Sequence, residues 1–499
     1  MKIKAFYKFG VLVFAFVFAF LSCKKDKFVT DPSATVRFSQ DSVLFDTVFT
    51  TIGSATKNIR VINNNKQKIK ISTIQLTKGS SSQFIINVDG ASGRTFNDIE
   101  IAANDSLYIF IQVNVNPTNV NSPAIVTDNI EFTVNGNLKK VKLEAWGQDA
   151  YYHYAKNALY FKDGSYLAYS TVDTLKNSYD KIGNDYVWKN DKPHVIYGYL
   201  VVDEGQKLVI NAGTRVYFNY KAGLWVYRYG ELRVYGQYGN EVIFQGARRE
   251  ADYEDEPGQW DRIWINEGST NNIIDYAIIK NGYIGVQAEL LGDTLGVKNR
   301  LRLTNTRIQN MSMWGLYCLA YNVYAANNSI NNCQEHSLNV LLGGNYNFIH
   351  CTFANYWEKQ KNREKPAMYL NNHAGSQVLP LDTFNFINCI VDGKLENEIS
   401  FDLDNSNVNY PPRHKFTSCW MKTTNDMSDV NHFNEIVKSS SSLTYESPGT
   451  YFFQPKPSEL SVKGFISSIA TLNAQKFPLD LKGAARTSVT VCAGAYQVN

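Results

Sequence analysis

The segments NIIDYAIIKNG (272–282), LRLTNTRIQNM (301–311), YAANNSINNC (324–333), NFIHCTFANY (347–356), NFINCIVDG (385–393) and KFTSCWMKT (415–423) repeat one arrangement. A polar residue recurs at Asp275, Asn305, Asn327, His350, Asn388 and Ser418. Three positions later comes an apolar residue, at Ile278, Ile308, Ile330, Phe353, Val391 and Met421. Two further on stand Lys280, Asn310, Asn332, Asn355, Gly393 and Thr423. The recurrence, roughly every 20 to 40 residues, is the period of a solenoid. Asn tolerates the left-handed backbone that a sharp corner needs, and amides stacked from coil to coil can hydrogen-bond along the stack. The runs between corners are too short for helices and rich in β-branched and aromatic residues, so they read as strands.

Upstream the rhythm tightens into the triplets Leu200-Val201-Val202, Leu208-Val209-Ile210, Val216-Tyr217-Phe218, Leu224-Trp225-Val226, Leu232-Arg233-Val234 and Val242-Ile243-Phe244, with Gly205, Gly213, Gly223, Gly230, Gly236 and Gly239 marking turns. Together with Pro257-Gly258-Gln259-Trp260, Ile263-Trp264-Ile265 and Gly268-Ser269, this pattern resembles the right-handed parallel β-helix, the fold of pectate lyases and many bacterial surface proteins. The resemblance covers about half the chain and implies an all-β solenoid over 194–423. It concerns architecture far more than activity.

The 499 residues, 44% of them apolar, suffice for two or three cores, and 31 Tyr suit a β-rich surface protein. A net charge of +4 gives no argument for nucleic acid. At the start, Lys2, Lys4 and Lys8 precede an apolar run from Phe9 to Leu21, then Ser22 and Cys23. The run is short for a membrane span and reads as a secretory signal over 1–22. Cys after a small residue resembles the bacterial lipobox, which implies acylation at Cys23 and a lipidated tether over 23–32. Multiple acyl chains give stable anchoring. Lys24-Lys25-Asp26-Lys27 is similar to the short charged export signal of surface lipoproteins in the Bacteroidota. That resemblance implies an outer-membrane protein facing outward.

Residues 33–149 change character. Leu107, Ile109, Ile111, Val113 and Val115 alternate strictly with Tyr108, Phe110, Gln112 and Asn114, and further short strands are separated by spacers such as Asn63-Asn64-Asn65. About seven strands in about 115 residues predict an N-terminal immunoglobulin-like sandwich, read as a stalk or docking module. The Tyr-rich segment 150–193 is expected to connect and to cap the open first coil. At the other end, 424–499 is expected to hold terminal coils and a cap. There, Asp480-x-x-Gly483-x-x-Arg486 and Gly494-Ala495-Tyr496 resemble the closing motif of bacterial β-helix chains.

Cys351, Cys389 and Cys419 occupy one column, each just after the polar corner residue, which favours a buried thiol ladder. Cys318, Cys333 and Cys492 lie outside it and could pair. No CxxC occurs, which argues against a structural zinc site.

The enzymes known on this scaffold set a standard. Lyases need Arg or Lys as base with a cation to stabilise the enolate, and hydrolases need clustered aspartates. This chain has no Asp-Asp dipeptide and no Gly-His-Gly. Three weaker constellations stand out. The acidic loop Glu250, Asp252, Glu254, Asp255 and Glu256 offers oxygens to Ca²⁺, although charged loops are usually just solvated. Asp402 and Asp404 form a carboxylate pair, with Asp382 and His373 on neighbouring inserts. Tyr356, Trp357, Lys359, Lys361, Arg363 and Lys365 form an aromatic and basic insert suited to a sugar or a protein partner. The expectation is a non-catalytic binding or scaffold protein without a cofactor. It recognises an extracellular glycan or joins an outer-membrane β-barrel complex; a polysaccharide lyase or glycoside hydrolase is the alternative.

Overall fold

The computed structural model of the chain describes residues 27–50, 53–117, 124–266, 268–290, 301–359, 362–409, 411–486 and 491–498. The expected signal segment and Cys23 lie outside them, as does most of the insertion at 287–300. The chain divides into Met1–Asp149 and Ala150–Asn499. Among the described residues no helix is long and apolar enough to cross a membrane.

In the first unit the alternation at 107–115 does what its period dictates. Ser106–Val113 lies between Lys57–Ile62 and Phe84–Val88 in one five-stranded sheet. Its Ile109, Ile111 and Val113 are buried while Tyr108 and Phe110 are exposed. In a second five-stranded sheet Asn137–Gln148 pairs in parallel with Ser42–Phe49 and antiparallel with the central strand Ala124–Val134. The inward residues of both sheets, among them Ile59, Ile86, Phe132 and Leu143, share one core. The unit is therefore a β-sandwich. Each such side chain contributes about 1.5–3 kcal/mol on burial.

The second unit is a parallel β-helix with three strand-bearing faces. On the first, Leu200, Leu224, Ile263, Val286, Leu316, Leu338, Met368 and Ile399 pair in register from coil to coil, and all point inward without measurable exposure. On the second, the inward column ends in Phe348, Phe386, Phe416 and Phe433, whose successive ring centroids lie 5.4, 5.3 and 5.5 Å apart. On the third, Ile279, Ile308, Ile330, Phe353, Val391 and Met421 form the column. A parallel strand buried on its inner face needs an apolar residue at every second position, which explains the triplets of the sequence.

The corners carry the expected polar ladder. Asn305, Asn327, His350, Asn388 and Ser418 all have left-handed φ between 50° and 55°. Asn327 Nδ2 donates to Asn305 Oδ1 (3.1 Å) and Asn305 Nδ2 to Asp275 Oδ1 (2.9 Å). The first rung needs a correction of one residue. Asp275 pairs with Thr304 and Ile279 with Ile308, and the left-handed corner falls on Tyr276 (φ 47°). Asp275 instead ends its strand and offers its carboxylate as the ladder's terminal acceptor. The second column is displaced likewise, from Lys280 to Asn281 (φ 63°).

The segment 150–193 is more than a connector. Tyr151–Tyr154, Tyr166–Thr171 and Asp185–Trp188 pair in parallel with His194–Tyr197, Tyr199–Val202 and Lys207–Asn211, so this segment is itself the first coil. The C-terminal segment runs back along a flank and covers the corner ladder. Asn388 Nδ2 donates to Ala470 O, Asn327 Nδ2 to Leu479 O, and the buried Arg486 guanidinium to Asn327 Oδ1 at 2.8 Å. Asp480 is also buried and receives the backbone N–H groups of Lys482, Ala484 and Gln497. The closing motif thus folds its own loop and fastens it to the solenoid. All six cysteines beyond Cys23 are free and buried, including Cys318, Cys333 and Cys492. Within the thiol column, Cys351 N–H donates to Cys389 Sγ and Cys389 N–H to Cys419 Sγ.

Candidate functional site

In each strand of the first face the residue between two inward positions must point outward. These middle residues are Val201, Trp225, Trp264, Gln287, Tyr317, Asn339, Tyr369 and Ser400, stacked in register. At about 4.8 Å per rung the stripe runs roughly 34 Å along the solenoid axis. Trp225 and Trp264 stack with ring centroids 4.9 Å apart and planes 13° from parallel. Further along, Trp314 packs on Tyr317 (4.3 Å) and His336 stacks on Tyr369 (5.4 Å).

Two polar knots flank these rings. In the first, Glu289 Oε1 accepts from Trp264 Nε1 (2.8 Å) and Asn266 Nδ2 (2.6 Å), and its Oε2 accepts from Gln287 Nε2 (2.7 Å). Asn266 Oδ1 in turn holds Trp225 Nε1. Beside it Arg262 pairs with Asp261 (2.8 Å) and donates to Gln287 Oε1, while Tyr199 donates to the other oxygen of Asp261. Burial pushes the Tyr317 phenol up to about 12, so it is a neutral hydroxyl at ordinary pH. In the second knot Asp402 accepts from Tyr369 OH (2.5 Å), Asn371 Nδ2 (3.1 Å) and His373 Nε2 (3.1 Å). The Tyr369 hydroxyl, with further help from His373 and Asn371, holds the Asp402 carboxyl below its usual range.

The residues singled out from sequence fare unequally. Asp402 and His373 meet as anticipated, but Asp404 does not join them. Its carboxylate accepts from Ser406 N and its backbone clasps the Asn372 amide, so the expected carboxylate pair is a single acid and a local turn. Two residues of the aromatic and basic insert, Trp357 and Arg363, are internal, while Lys365 is exposed. Arg363 is buried and forms a two-pronged pair with Glu398, and Trp357 is only 3% exposed. Tyr356 is half-buried and donates to the buried Asp392 at 2.7 Å. Arg363, expected on a binding rim, turns inward because it neutralises the Glu398 carboxylate, which would otherwise be buried alone. Tyr356 and Trp357 do reach a cleft of about 530 Å³, walled also by Tyr445 and Tyr451. The acidic loop at 250–256 is held by its backbone: Asn281 and Asn310 donate to Glu254 O and Asp255 O. Among the described residues no group of three or more His, Cys, Asp or Glu side chains converges as metal ligands would.

Sequence reasoning missed Asp261, Arg262, Glu289 and the stripe itself. The signal was present in Leu224-Trp225-Val226, Ile263-Trp264-Ile265 and Leu316-Tyr317-Cys318. Counted as apolar, each aromatic disappears into the run; counted by period two, each is the outward residue.

No family model and no curated protein matches the chain. Among solved structures it is similar to a protein of unknown function from Porphyromonas gingivalis W83, at 11% identity and TM-score 0.17, over 26% of this chain and 50% of that one. This chain therefore spans about half the length of that protein. The catalytic domain of a GH87 α-1,3-glucanase in complex with nigerose aligns over 73% of this chain and 82% of its own, at 9% identity and TM-score 0.18. The periplasmic chaperone SfaE aligns over 27% of this chain and 71% of its own, at 8% identity and TM-score 0.17. At these scores none of the three bears on function.

Proposed function

We propose that the chain is a lipid-anchored outer-membrane protein, acylated at Cys23 and facing outward, that binds an extended polysaccharide along the stripe of the first face. The observation that carries this reading is the in-register line of the half-buried Trp264, Tyr317 and Tyr369, continued by the buried Trp225, with hydrogen-bonding side chains between and beside them. Pyranose rings present apolar faces to aromatic rings and hydroxyls to amides and carboxylates. A linear glycan laid along the axis meets one such rung per coil, at a spacing close to the rise of one sugar unit.

Binding is favoured over cleavage by the state of the carboxylates. Glu289, Asp261 and Asp402 each have both oxygens occupied by hydrogen bonds from neighbouring side chains, and those of Tyr369, His373 and Asn371 hold the Asp402 carboxyl below its usual range. A hydrolase needs one acid kept protonated so that it can give its proton to the departing glycosidic oxygen. The sandwich unit then serves as an immunoglobulin-like stalk between anchor and solenoid. The test is binding of full-length protein in detergent to a panel of soluble polysaccharides by affinity electrophoresis. Retardation by at least one neutral glycan, lost in Trp264→Ala and in Tyr369→Ala, is expected. Retardation by none, or retardation unchanged in both variants, sinks the reading. New reducing ends in the same incubations would make the protein an enzyme, and stoichiometric recovery of an outer-membrane β-barrel in place of glycan would make it an assembly subunit.

A further inference from the structure

A second groove lies on another face of the solenoid and has different chemistry. It encloses about 420 Å³, a volume in the range of small-ligand sites. Its floor is a run of outward residues in register, Arg233, Ile273, Arg302 and Tyr324. Arg233 and Arg302 stand two rungs apart, roughly 10 Å. The helix Ser468–Lys476 brings Lys476 to the same groove, its Nζ 5.3 Å from the Tyr324 ring centre, followed by Phe477.

The charge is unbalanced. Among the described residues no acidic side chain lines the groove, and the partner of Arg233 is Glu231 at 3.0 Å. Arg302 is exposed, and neither it nor Lys476 forms an ion pair among the described residues. Three cations against one carboxylate leave two positive charges. Two lining residues also carry a buried polar atom without a hydrogen-bond partner, the Tyr324 hydroxyl and Arg233 Nε. The helix ends here, and its C-terminus opposes an anion with about half an elementary charge; three full cations outweigh it.

We infer that this groove binds a phosphate monoester, independently of the glycan stripe. A monoester carries about 1.5 to 2 negative charges near neutral pH and three acceptor oxygens, which matches the surplus and the forked Arg donors better than a single carboxylate does. The rings of Tyr324 and Phe477, 6.4 Å apart, offer an apolar wall to the rest of the ligand. The shared chemistry is the monoester, carried by a soluble sugar phosphate or by a lipid headgroup.

Calorimetry on the full-length protein in neutral detergent tests it with glucose 6-phosphate, glucose and glucuronate. Binding of glucose 6-phosphate is expected, about 10-fold or more tighter than glucuronate, with none for glucose. Arg302→Gln and Lys476→Gln should each weaken it about 5-fold and together more than 20-fold, at unchanged circular dichroism. Trp264→Ala should leave it unchanged, which separates this site from the stripe. Displacement of glucose 6-phosphate by phosphatidic-acid vesicles assigns the site to lipid, and its failure assigns it to soluble phosphate. No binding of glucose 6-phosphate, equal binding of glucuronate, or parental affinity in the double variant overturns the inference.

Discussion

Arg363 and Glu398 face each other with their side chains 2% and 0% exposed, joined by two parallel N–H···O contacts. Glu398 Oε2 also accepts Ala367 N (2.8 Å) and Oε1 accepts Leu395 N (2.7 Å). The pair closes a loop over the solenoid, and neither charge has water to fall back on.

Removing one partner is therefore costly. Glu398→Ala leaves a buried guanidinium unpaired and should lower stability by about 3–5 kcal/mol. Replacing both by Met and Leu should recover most of that loss. Equilibrium denaturation in urea of the single and double variants measures it, and a double variant as unstable as the single one would refute the account.

Asp392 predicts a pH dependence. It is fully buried beneath the 530 Å³ cleft and accepts from Tyr356 OH, Tyr445 OH, Leu443 N and Gly393 N, yet burial raises its pKa to about 6. Between the unfolded value near 4 and this value, the folded chain holds more protons than the unfolded one. Stability from this group is thus full below about pH 4 and falls as pH rises to about 6, by on the order of 2–3 kcal/mol. Asp392→Asn should abolish that component. The check is the stability difference between variant and parent at pH 4, 5, 6 and 7, which should shift in favour of the variant as pH rises; a constant difference contradicts the assignment.

The cysteines should be inert in the folded protein. All six are buried, which is what keeps reagent away. Burial also pushes the Cys318 thiol well up and that of Cys333 to about 12, whereas at Cys351 burial is outweighed by hydrogen bonds from Cys389 and Asn328, which lower it. Thiol-reactive dye should label none of the six within hours in native buffer and all six in 6 M guanidinium, since the thiolate is the reacting form. Rapid native labelling of Cys351, Cys389 or Cys419, located by peptide mapping, would contradict the packed ladder.

Two glycines stand where neighbouring coils leave no room for a side chain. A Cβ on Gly315 would lie 2.4 Å from Ile330 Cγ2 and 2.6 Å from Ser337 O, and one on Gly285 2.5 Å from Gly315 O. Because backbone stands in the way, Gly315→Ala should cost about 1–3 kcal/mol. Gly375, with nothing within 4 Å, serves as the spatial comparison, although its φ of 57° adds strain of its own. Thermal unfolding of Gly315→Ala equal to the parent would show that the coils can separate.

The architecture was legible because its causes repeat. A corner needing left-handed φ selects Asn rung after rung, and an inward column selects an apolar residue at every second position; both leave periodic marks. The slip at 272–282 arose where that selection is weakest, since Tyr276 takes the corner while Asp275 beside it resembles the polar column. The site was not legible in the same way. Trp225, Trp264, Tyr317 and Tyr369 are neighbours only after coiling, and nothing local distinguishes an outward aromatic from an inward one except parity within its strand. Composition also misled at Tyr356, Trp357 and Arg363, since charge and aromaticity mark a surface only when no partner is buried opposite. Glu398, which decides the matter for Arg363, lies 35 residues away.

The strap that covers the corners has a temporal consequence. Arg486 reaches Asn327 across 159 residues, Leu479 meets it across 152 and Ala495 closes on Thr352 across 143. The coils themselves join near neighbours, so they can stack in order as the chain emerges. The strap cannot be laid until synthesis is finished, and its closures are the slowest class of contact. A chain cut short before residue 467 therefore presents a completed stack with its polar spine open to water, a state that a protease can recognise and a finished molecule never shows.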